Sequence, residues 1–533
     1  MKLLKKITII QWLLIVTFLN GLIFAMVVPI WHAPDEQAHF AQVQNIAETG
    51  RTHAENINNL SEEILISERL LGTERNKFGK NEFTHKPWYR IEYTNSILGR
   101  HEAYLASLDS STRTNLVKRE ATLYPPLFYF ISATFYRFAY SGDLISRVMI
   151  TRLASVLMGT AMVFFSFKIS QLVFPKNKLA ALTAAVLVSF QPMFSFLIAG
   201  VNSDNMMNVL FTAFIYLAAR TIAAGKFAPK DALLLLLLIL ALKYTKPHGI
   251  IAIPITIVLS LFFIKQIKKI FSKQKIAILF SLSALVVGFT TGIIPFPSPE
   301  IDLIPSLIKP NFNISFLSHL QWTARHTYAE VVPWYWGVFN WLGVTLPRVV
   351  NRIINRILIL GAAGLIIWIV KVVRRKKVSP SEKVVIFLTG VSAIYFASLT
   401  FWDWLFRRHH NFSFGMQGRY YFPTLSAHMI LLLVGLMTLV GILAKKWHAV
   451  FLKVVGIAAV VLNFIGLRTL AVSYYQLSPI NTLLNQVSQY KPVYFKFPWV
   501  IIWFGVYAIT LFGFIIKYIK YASRSRSRSK ASN

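Results

Sequence analysis

The sequence contains no cysteine and few acidic residues. Its 533 residues include 21 Asp and Glu against 56 Lys and Arg, which gives a formal net charge of +35. Without cysteine the chain can form neither disulfides nor thiolate metal sites. Such a charge is typical of some nucleic-acid-binding proteins, but here the basic residues lie in short loops between apolar runs. That distribution is the positive-inside pattern of membrane proteins, so nucleic acid is not an expected partner.

Hydrophobic residues are abundant, at 55% of the chain, and the mean hydropathy is +0.54. Apolar runs of membrane-spanning length recur along the sequence, which predicts an all-α polytopic membrane protein. The N-terminal MKLLKK and the apolar run 7–30 resemble a signal peptide. However, the run is nearly of full span length and no small-residue cleavage site follows it, so we expect a retained anchor.

The alternation of apolar runs and basic loops predicts about twelve transmembrane helices, with both termini in the cytoplasm. The predicted spans are 7–30, 149–174, 179–199, 209–224, 232–244, 250–264, 276–294, 353–370, 384–401, 424–443, 450–470 and 499–516. They form one membrane domain, residues 1–520, with external loops 31–147, 295–352 and 471–498 that carry short helices. Residues 521–533 are a predicted basic cytoplasmic tail facing anionic lipid. Two prolines open the aromatic stretch 124–138, as suits the first turn of a helix, and we expect that helix to re-enter the outer leaflet.

The stretch WHAPDEQAHF, residues 31–40, places the adjacent acids Asp35 and Glu36 at the exit of the first span. Carboxylates are costly near hydrocarbon, so this pair is a functional-site hypothesis. His39 follows Asp35 by four residues and would lie on the same side of a helical turn. The alternative is that both acids merely favour the start of a juxtamembrane helix after Pro34.

Other polar residues collect on the predicted outer face, and the basic ones run against the positive-inside bias. The candidates are Asn202, Asp204, Lys243, Lys246, Arg325, His326 and Arg419. An anion at the outer membrane surface would explain Lys246 and Arg419, and a lipid phosphate or pyrophosphate fits their chemistry. The alternative is snorkelling of long side chains to the interface. A nearby carboxylate can act as general base while the cations stabilise a departing phosphate, which favours group transfer from a lipid-phosphate donor.

Histidines on the same face could bind a divalent cation together with the acidic pair. They are His39, His326, His409 and His410. None of them shows the spacing of a dedicated zinc motif, so hydrogen-bonding roles are the better interpretation. No cofactor is assigned from the sequence, and a divalent cation stays open.

Four motifs in this order resemble the bacterial membrane family called domain of unknown function family 2142. They are PDEQAHF at 34–40, YPPLFYF at 124–130, the segment 192–205 ending in NSDN, and QGRYYFP at 417–423. The layout is also similar to that of GT-C glycosyltransferases such as the lipid A aminoarabinose transferases and the protein O-mannosyltransferases. Those enzymes carry an acidic motif after the first span, a PPL-type helix and an LxK(G/P) turn. The turn here, LKYTKPHG, has extra residues, which leaves open whether Lys243 or Lys246 is the matching lysine.

The resemblance implies a GT-C-like, inverting glycosyltransferase at the outer face of the bacterial plasma membrane. Its expected partners are a polyprenyl-phosphate sugar donor, a cell-envelope glycan, lipid or protein acceptor, and membrane lipids. Asp35 would be the catalytic base, Glu36 would orient a substrate, and Lys246 and Arg419 would contact phosphate. Tyr124 and Tyr420, which lie in the quoted motifs, are further candidate substrate contacts.

The competing hypothesis is a transporter or flippase for lipid-linked sugars or polysaccharides. A transporter should carry charged groups near the bilayer midplane and show pseudo-symmetric halves. Here the unusual charges collect at one face and no repeat relates the halves. A scaffold without chemistry would explain the aromatic residues but not the clustering of acids and bases.

Overall fold

Helices make up most of the chain, and strands occur as two short antiparallel pairs in the described residues. The computed structural model describes residues 7–52, 58–74, 95–120, 124–263, 309–375 and 377–530. For residues 95, 97, 98, 444, 445 and 522–530 it describes the backbone alone. The α-helices are α1 (Ile9–Val27), α2 (Glu36–Thr49), α3 (Glu62–Leu71), α4 (Asn95–Ser107), α5 (Leu127–Phe138), α6 (Leu144–Val173), α7 (Lys178–Ser189), α8 (Pro192–Leu197), α9 (Asp204–Ala224), α10 (Pro229–Lys243), α11 (Ala252–Leu261), α12 (Phe316–His326), α13 (Val332–Trp336), α14 (Arg348–Val373), α15 (Pro380–His410), α16 (Leu425–Ala444), α17 (His448–Tyr474), α18 (Ile480–Val487) and α19 (Trp499–Lys530). A π-helical turn spans Thr327–Val331, and 3-10 turns span Ser110–Arg113, Pro247–Ile251, Gly418–Thr424, Lys445–Trp447 and Val493–Phe495.

The strands are β1 (Leu60–Ser61), β2 (Leu116–Lys118), β3 (Val338–Phe339) and β4 (Val344–Thr345). Strand β1 pairs with β2, with Leu60 opposite Lys118. Strand β3 pairs with β4, with Phe339 opposite Val344. The first pair ties together the two ends of the polar segment between α2 and α5.

Eight helices of the described residues are long and apolar enough to cross a membrane. They are Ile9–Val27, Leu144–Val173, Asp204–Ala224, Arg348–Val373, Pro380–His410, Gly418–Leu443, His448–Tyr474 and Trp499–Tyr521. The prediction of a mostly helical membrane protein is confirmed, whereas the count of twelve spans is not. The predicted span 276–294 and the start of the second external loop lie outside the described residues, as do residues 1–6, whose lysines oriented the predicted topology.

At two places the helices differ markedly from the predicted spans. The predicted span 179–199 is divided into α7 and α8, because the Gln191 side chain caps the new helix and Pro192 occupies its first turn, where no N–H is needed. Residues 403–410, predicted as loop, continue α15. There Arg407 stacks over Trp322 at 4.9 Å and Arg408 stacks over Trp404 at 4.6 Å, and these contacts fix the last helical turn.

The membrane helices share one apolar core, which is supplemented by buried polar contacts between helices. The Asn20 amide of α1 and the Asn463 amide of α17 both donate to the Ser195 hydroxyl of α8, at 2.9 and 2.8 Å. The Tyr507 hydroxyl of α19 donates to the Asn20 side-chain oxygen at 2.9 Å. Small and amide side chains of this kind join membrane helices at close approach. They join α1 directly to α8 and α19 and, through Ser195, to α17, and the end of α1 leads into the motif at 31–40.

The helices between the first and second spans form a second apolar cluster. Helix α2 packs on α5, and α5 packs on α6. Phe40, Phe128 and Tyr136 are completely buried where these helices meet. The short helices predicted for the first external loop are therefore present and packed, and they cover the ends of the membrane helices. Re-entry of α5 into a leaflet stays a prediction.

Candidate active site

A cavity of about 290 Å³ lies where the first membrane helix ends and the 3-10 turn Gly418–Thr424 begins. Its volume is close to the lower end of the range, roughly 300–1,000 Å³, in which small-molecule sites fall. The described residues that line it are His32, Pro34, Asp35, Ala38, His39, Tyr124, Tyr129, Met193, Phe196, Val338, Trp341, Leu342, Phe414, Gln417, Arg419 and Tyr420. The quoted motifs at 34–40, 124–130, 192–205 and 417–423 all contribute to this wall.

Asp35 lies on a sharp turn between α1 and α2. Its backbone is in the left-handed region, with φ of 56°, and Trp31 earlier in the same segment has φ of 67°. Asp35 is the N-cap residue of α2, yet its side chain accepts no capping hydrogen bond. Instead, its Oδ2 accepts a hydrogen bond from Nη2 of Arg419 at 2.9 Å, and 36% of the side chain is exposed within the cavity wall. The carboxylate is thus turned away from the helix start and toward the cavity.

Arg419 brings a buried guanidinium to the same wall. Besides its bond to Asp35, its Nη1 lies 4.0 Å from Oδ2 of Asp204. In the described structure Nε and Nη1 of Arg419 are buried without a hydrogen-bond partner. Gly418 allows this placement, because a Cβ there would lie 2.2 Å from the backbone nitrogen of Tyr335. A buried guanidinium with unused N–H donors beside a cavity is suited to an anionic ligand.

Lys246 is the second cation beside the cavity, although neither Lys246 nor Asp204 is among the described cavity-lining residues. Its ammonium is paired with the Asp204 carboxylate and lies 4.8 Å from the centroid of the Tyr124 ring and 5.9 Å from that of Tyr420. Asp204 is the first residue of α9, and its Oδ2 has no hydrogen-bond partner in the described structure. Asp35 and Asp204 therefore face Lys246 and Arg419, so two negative groups meet two positive ones.

His39 lines the cavity one helical turn after Asp35. Its Nδ1 is hydrogen-bonded to the Tyr129 hydroxyl at 2.9 Å, and its ring stacks on Tyr124 with centroids 5.7 Å apart. Burial lowers the pKa of His39 to about 4, although the neighbouring Asp35 charge opposes that shift. The imidazole is therefore neutral at physiological pH and serves as a hydrogen-bonding wall of the cavity.

Glu36 does not line the cavity, although it is adjacent to Asp35. Its carboxylate is completely buried and accepts two hydrogen bonds from Arg152, from Nε at 2.7 Å and from Nη2 at 2.6 Å. The backbone N–H groups of Trp31 and Val201 donate to the same carboxylate at 3.0 and 3.1 Å. All its oxygens are occupied within the protein, so the expected contact with substrate has no geometric basis in this structure.

The comparison with protein families agrees with this arrangement of motifs. The family described as "Predicted membrane protein (DUF2142)" matches residues 18–427 of the chain. The chain belongs to the DUF2142 family. No curated protein matches it at a significant level.

Solved structures of low sequence identity are similar to this DUF2142 chain. The archaeal oligosaccharyltransferase AglB from Archaeoglobus fulgidus, in complex with an inhibitory peptide and a dolichol-phosphate, is 14% identical with a TM-score of 0.43. That match covers 87% of this chain and 56% of AglB, so the chain spans little more than half of that protein's length. ArnT from Cupriavidus metallidurans bound to undecaprenyl phosphate is 13% identical with a TM-score of 0.41, and the match covers 98% of this chain and 78% of ArnT.

The remaining candidates from the sequence divide into one supporting residue and three that lie elsewhere. Asn202 donates to the Pro34 carbonyl at 2.8 Å and accepts from the Asp204 N–H at 2.8 Å, so it joins the Asp35 turn to the start of α9. Lys243, Arg325 and His326 are not among the described cavity-lining residues. Lys243 is buried at the end of α10, Arg325 is exposed on α12, and His326 donates to the Met416 carbonyl at 2.9 Å.

The site residues that were not singled out in the sequence include Arg152, His32, Tyr129, Trp341 and Gln417. Arg152 had a usable signal, because an arginine inside an apolar span is costly and is a functional-site hypothesis by itself. Gln417 opens the quoted motif QGRYYFP, and His32 lies two residues before PDEQAHF. Trp341 lies in the connection between β3 and β4, where no pattern separates it from the other tryptophans of that loop.

Within the described ranges, no group of three or more His, Asp or Glu side chains has the arrangement of a metal site. The histidines considered from the sequence have other contacts there. His326 binds a backbone carbonyl, and His409 and His410 lie in the last turn of α15.

Proposed function

We propose that the chain is a membrane glycosyltransferase of the GT-C type that moves a sugar from a polyprenyl-phosphate donor to a cell-envelope acceptor. The observation that carries the proposal is that the partly exposed Asp35 carboxylate and the unused N–H donors of Arg419 meet at one cavity. The cavity lies at the ends of helices long enough to span a membrane, which is where a lipid-linked phosphate would be presented. We place this end at the outer face of the bacterial plasma membrane, following the positive-inside rule, with both termini on the cytoplasmic side.

Each charged residue has a distinct part in the proposed reaction. The donor phosphate binds to the free N–H groups of Arg419 and to the Lys246 ammonium. Asp35 accepts the proton of an acceptor hydroxyl while that oxygen forms a bond to the anomeric carbon of the sugar. The bond between this carbon and the phosphate oxygen breaks, and its electron pair remains on the phosphate, where the two cations stabilise the added charge. The products are the glycosylated acceptor, inverted at the anomeric carbon, and the polyprenyl phosphate, and the proton on Asp35 passes to solvent.

The pairing of Asp35 with Arg419 supports the use of Asp35 as the base. A neighbouring guanidinium favours the ionised carboxylate, so the group is ready to accept a proton. When a phosphate shares Arg419, the guanidinium holds Asp35 less strongly and the carboxylate becomes more basic. Deprotonation of the acceptor would therefore be favoured when a donor is bound.

The aromatic wall fits the sugar part of the donor. Tyr124, Tyr420 and Trp341 line the cavity close to the proposed phosphate contacts. Their rings offer apolar faces with a hydrogen-bonding edge, a combination suited to a sugar. The neutral His39 and its partner Tyr129 add hydrogen-bonding groups at fixed positions.

The test is an assay with the purified protein, a panel of polyprenyl-phosphate sugars and a cell-envelope extract as acceptor. Asp35→Asn keeps the shape of the side chain and tolerates the left-handed backbone, but it removes the base. We expect the rate of transfer to fall by about 10²- to 10⁴-fold, which is the usual contribution of general base catalysis. Asp231→Asn, which alters an ion pair with Arg220, is the matched control and should keep the rate.

Two outcomes would contradict the proposal. Normal transfer by Asp35→Asn at normal protein level would exclude Asp35 as the base. No transfer from any donor, together with movement of the donor between the leaflets of vesicles, would favour a transporter.

A further inference from the structure

The residue that follows the proposed base is part of a buried ion pair. Glu36 and Arg152 form two parallel hydrogen bonds, and both side chains are completely buried. The backbone N–H of Trp31 also donates to Glu36 and fixes the start of the turn, while the N–H of Val201 connects it to the segment before α9. Glu36 therefore joins α6, the turn and the start of α9 at one carboxylate.

Arg152 holds the other side of the same turn. Its Nη1 donates to the carbonyls of Ala25 and Val28 at 2.8 Å each, and its Nη2 donates to the Pro29 carbonyl at 2.9 Å. Carbonyl groups at the end of a helix lack partners within the helix, and here one guanidinium satisfies one carbonyl in the last turn of α1 and two that follow the helix. The Lys491 ammonium adds a further bond to the Val28 carbonyl at 3.1 Å.

The Asp35 turn depends on such support. The left-handed backbone of Trp31 and Asp35 costs free energy, and it persists only where the surroundings hold it in place. The turn is also closely packed against Gly200, since a Cβ there would lie 2.1 Å from the Cβ of Ala33 and 3.4 Å from Oε1 of Glu36. The turn is therefore fixed by the ion pair and by the Gly200 backbone packed beside it.

We infer that Glu36 and Arg152 are positioning residues, which hold the Asp35 turn so that the Asp35 carboxylate faces the cavity within reach of Arg419 and of an acceptor hydroxyl. This inference rests on the proposed function of Asp35. It assigns different parts to the two adjacent acids, because Asp35 contacts substrate and Glu36 acts through the backbone of the turn. A displacement of about 1 Å at a reacting group can lower a rate by about 100-fold, so the position of this turn matters for turnover.

The chain contains a matched control on the same helix. Arg147, five residues before Arg152 on α6, forms two hydrogen bonds to Glu63, from Nη1 at 2.9 Å and from Nη2 at 2.8 Å. That pair is also buried, with 2% exposure for each side chain. Within the described residues this pair is hydrogen-bonded to Tyr136 and Gln44, and not to the residues of the Asp35 turn. Loss of either pair should destabilise the fold, but only one of them supports the turn.

The experiment compares Glu36→Gln with Glu63→Gln in the purified full-length protein. We would measure the thermal midpoint, kcat and KM for transfer, and the Kd of a polyprenyl monophosphate as probe. Both variants should lower the thermal midpoint. Glu36→Gln should reduce kcat by about 10- to 100-fold because the base is displaced. The probe Kd should stay close to that of the wild type, since Arg419 and Lys246 are untouched, and Glu63→Gln should keep kcat.

Gly200→Ala tests the same inference without changing a charge, and it serves if Glu36→Gln does not fold. The added methyl group should displace Ala33 and lower kcat with little effect on the probe Kd. Equal kcat values for Glu36→Gln and Glu63→Gln, or a folded Gly200→Ala with wild-type kcat, would overturn the inference. An absence of transfer by the wild type would instead overturn the proposed function, so the two failures are distinguishable.

Discussion

Removal of the negative charge of Asp204 should strengthen the binding of a lipid phosphate, and the direction of this effect follows from charge alone. It is paired with Lys246 and lies 4.0 Å from Nη1 of Arg419, so it competes with any anion for both cations. Asp204→Asn keeps the shape of the side chain and an oxygen that can accept a hydrogen bond from Lys246, but it removes the negative charge. We therefore expect this variant to bind a polyprenyl monophosphate more tightly than the wild type.

The magnitude follows from the distances in the site. A phosphate that contacts both cations would lie roughly 5 Å from Asp204, where two unit charges repel by about 3 kcal/mol at an effective dielectric constant of about 20. Since about 1.4 kcal/mol corresponds to a factor of ten, the upper limit is a gain of about 100-fold. We expect a gain of about 10- to 100-fold in affinity, together with a lower thermal midpoint, because two buried cations lose a partner.

The assay is equilibrium binding of the polyprenyl monophosphate to purified protein at fixed ionic strength. Asp231→Asn is the control. Oδ1 of Asp231 accepts a hydrogen bond at 2.6 Å from Nη2 of Arg220, and Arg220 lies on α9, the helix that begins at Asp204. Arg220 is roughly 24 Å along α9 from Asp204, well beyond the Debye length of about 8 Å, so this variant should keep the wild-type affinity. Equal or weaker binding by Asp204→Asn would show that the phosphate does not lie between Lys246 and Arg419.

Two further predictions concern the lysine turn and the response to acid. Lys246→Gln should weaken binding of the same probe by about 10-fold or more, as expected for a charge-assisted hydrogen bond, whereas Lys243→Gln should change it by less than about twofold. Equal effects in the binding assay would contradict the placement of Lys246. The folded-state pKa of His39, about 4, lies below its ordinary value of 6.5, so the unfolded chain takes up a proton first as the pH falls. The stability contributed by neutral His39 is complete above about pH 6.5 and is lost toward pH 4, so the thermal midpoint of His39→Gln should fall less than that of the wild type over this range. Parallel curves of midpoint against pH for the two proteins would refute this assignment.

The sequence was sufficient to find the parts of the chain that meet at the cavity. The motifs that contain Asp35, Tyr124 and Arg419 are separated by long stretches, yet the predicted alternation of spans placed them at one end of the bundle. That expectation rests on the parity of the spans, because each crossing of a membrane reverses the chain, and the count of twelve spans behind it stays a prediction. It fails at span edges, where side-chain contacts made elsewhere in the fold, such as Arg407 with Trp322, extend a helix beyond its apolar run.

Two assignments required the three-dimensional structure. Asp35 and Glu36 are adjacent in sequence, but the left-handed turn at Asp35 separates their side chains, and the partner of Glu36 lies 116 residues later. The sequence favoured Lys246 as a phosphate contact but left open whether Lys243 or Lys246 is the matching lysine of the LKYTKPHG turn. The chain folds back there, with the Lys246 N–H bonded to the Leu242 carbonyl at 2.9 Å, and this reversal brings Lys246 to Asp204 and leaves Lys243 at the end of α10.

As intact pairs, the buried charges of the site add little net stability, although loss of one partner leaves the other charge buried and destabilises the fold. Buried ion pairs lose much of their attraction to desolvation, and apolar residues of similar size often replace them without loss of stability. The membrane helices already have an extensive apolar core and polar contacts such as that between Asn20 and Ser195. Arg419 also leaves two buried N–H groups without partners, which is unfavourable for stability and favourable for binding an anion. Substitution of Arg419 therefore leaves Asp35 and Asp204 with one cation fewer, and the thermal midpoint separates the resulting loss of stability from a loss of the proposed phosphate contact, just as the comparison with Glu63→Gln does for Glu36.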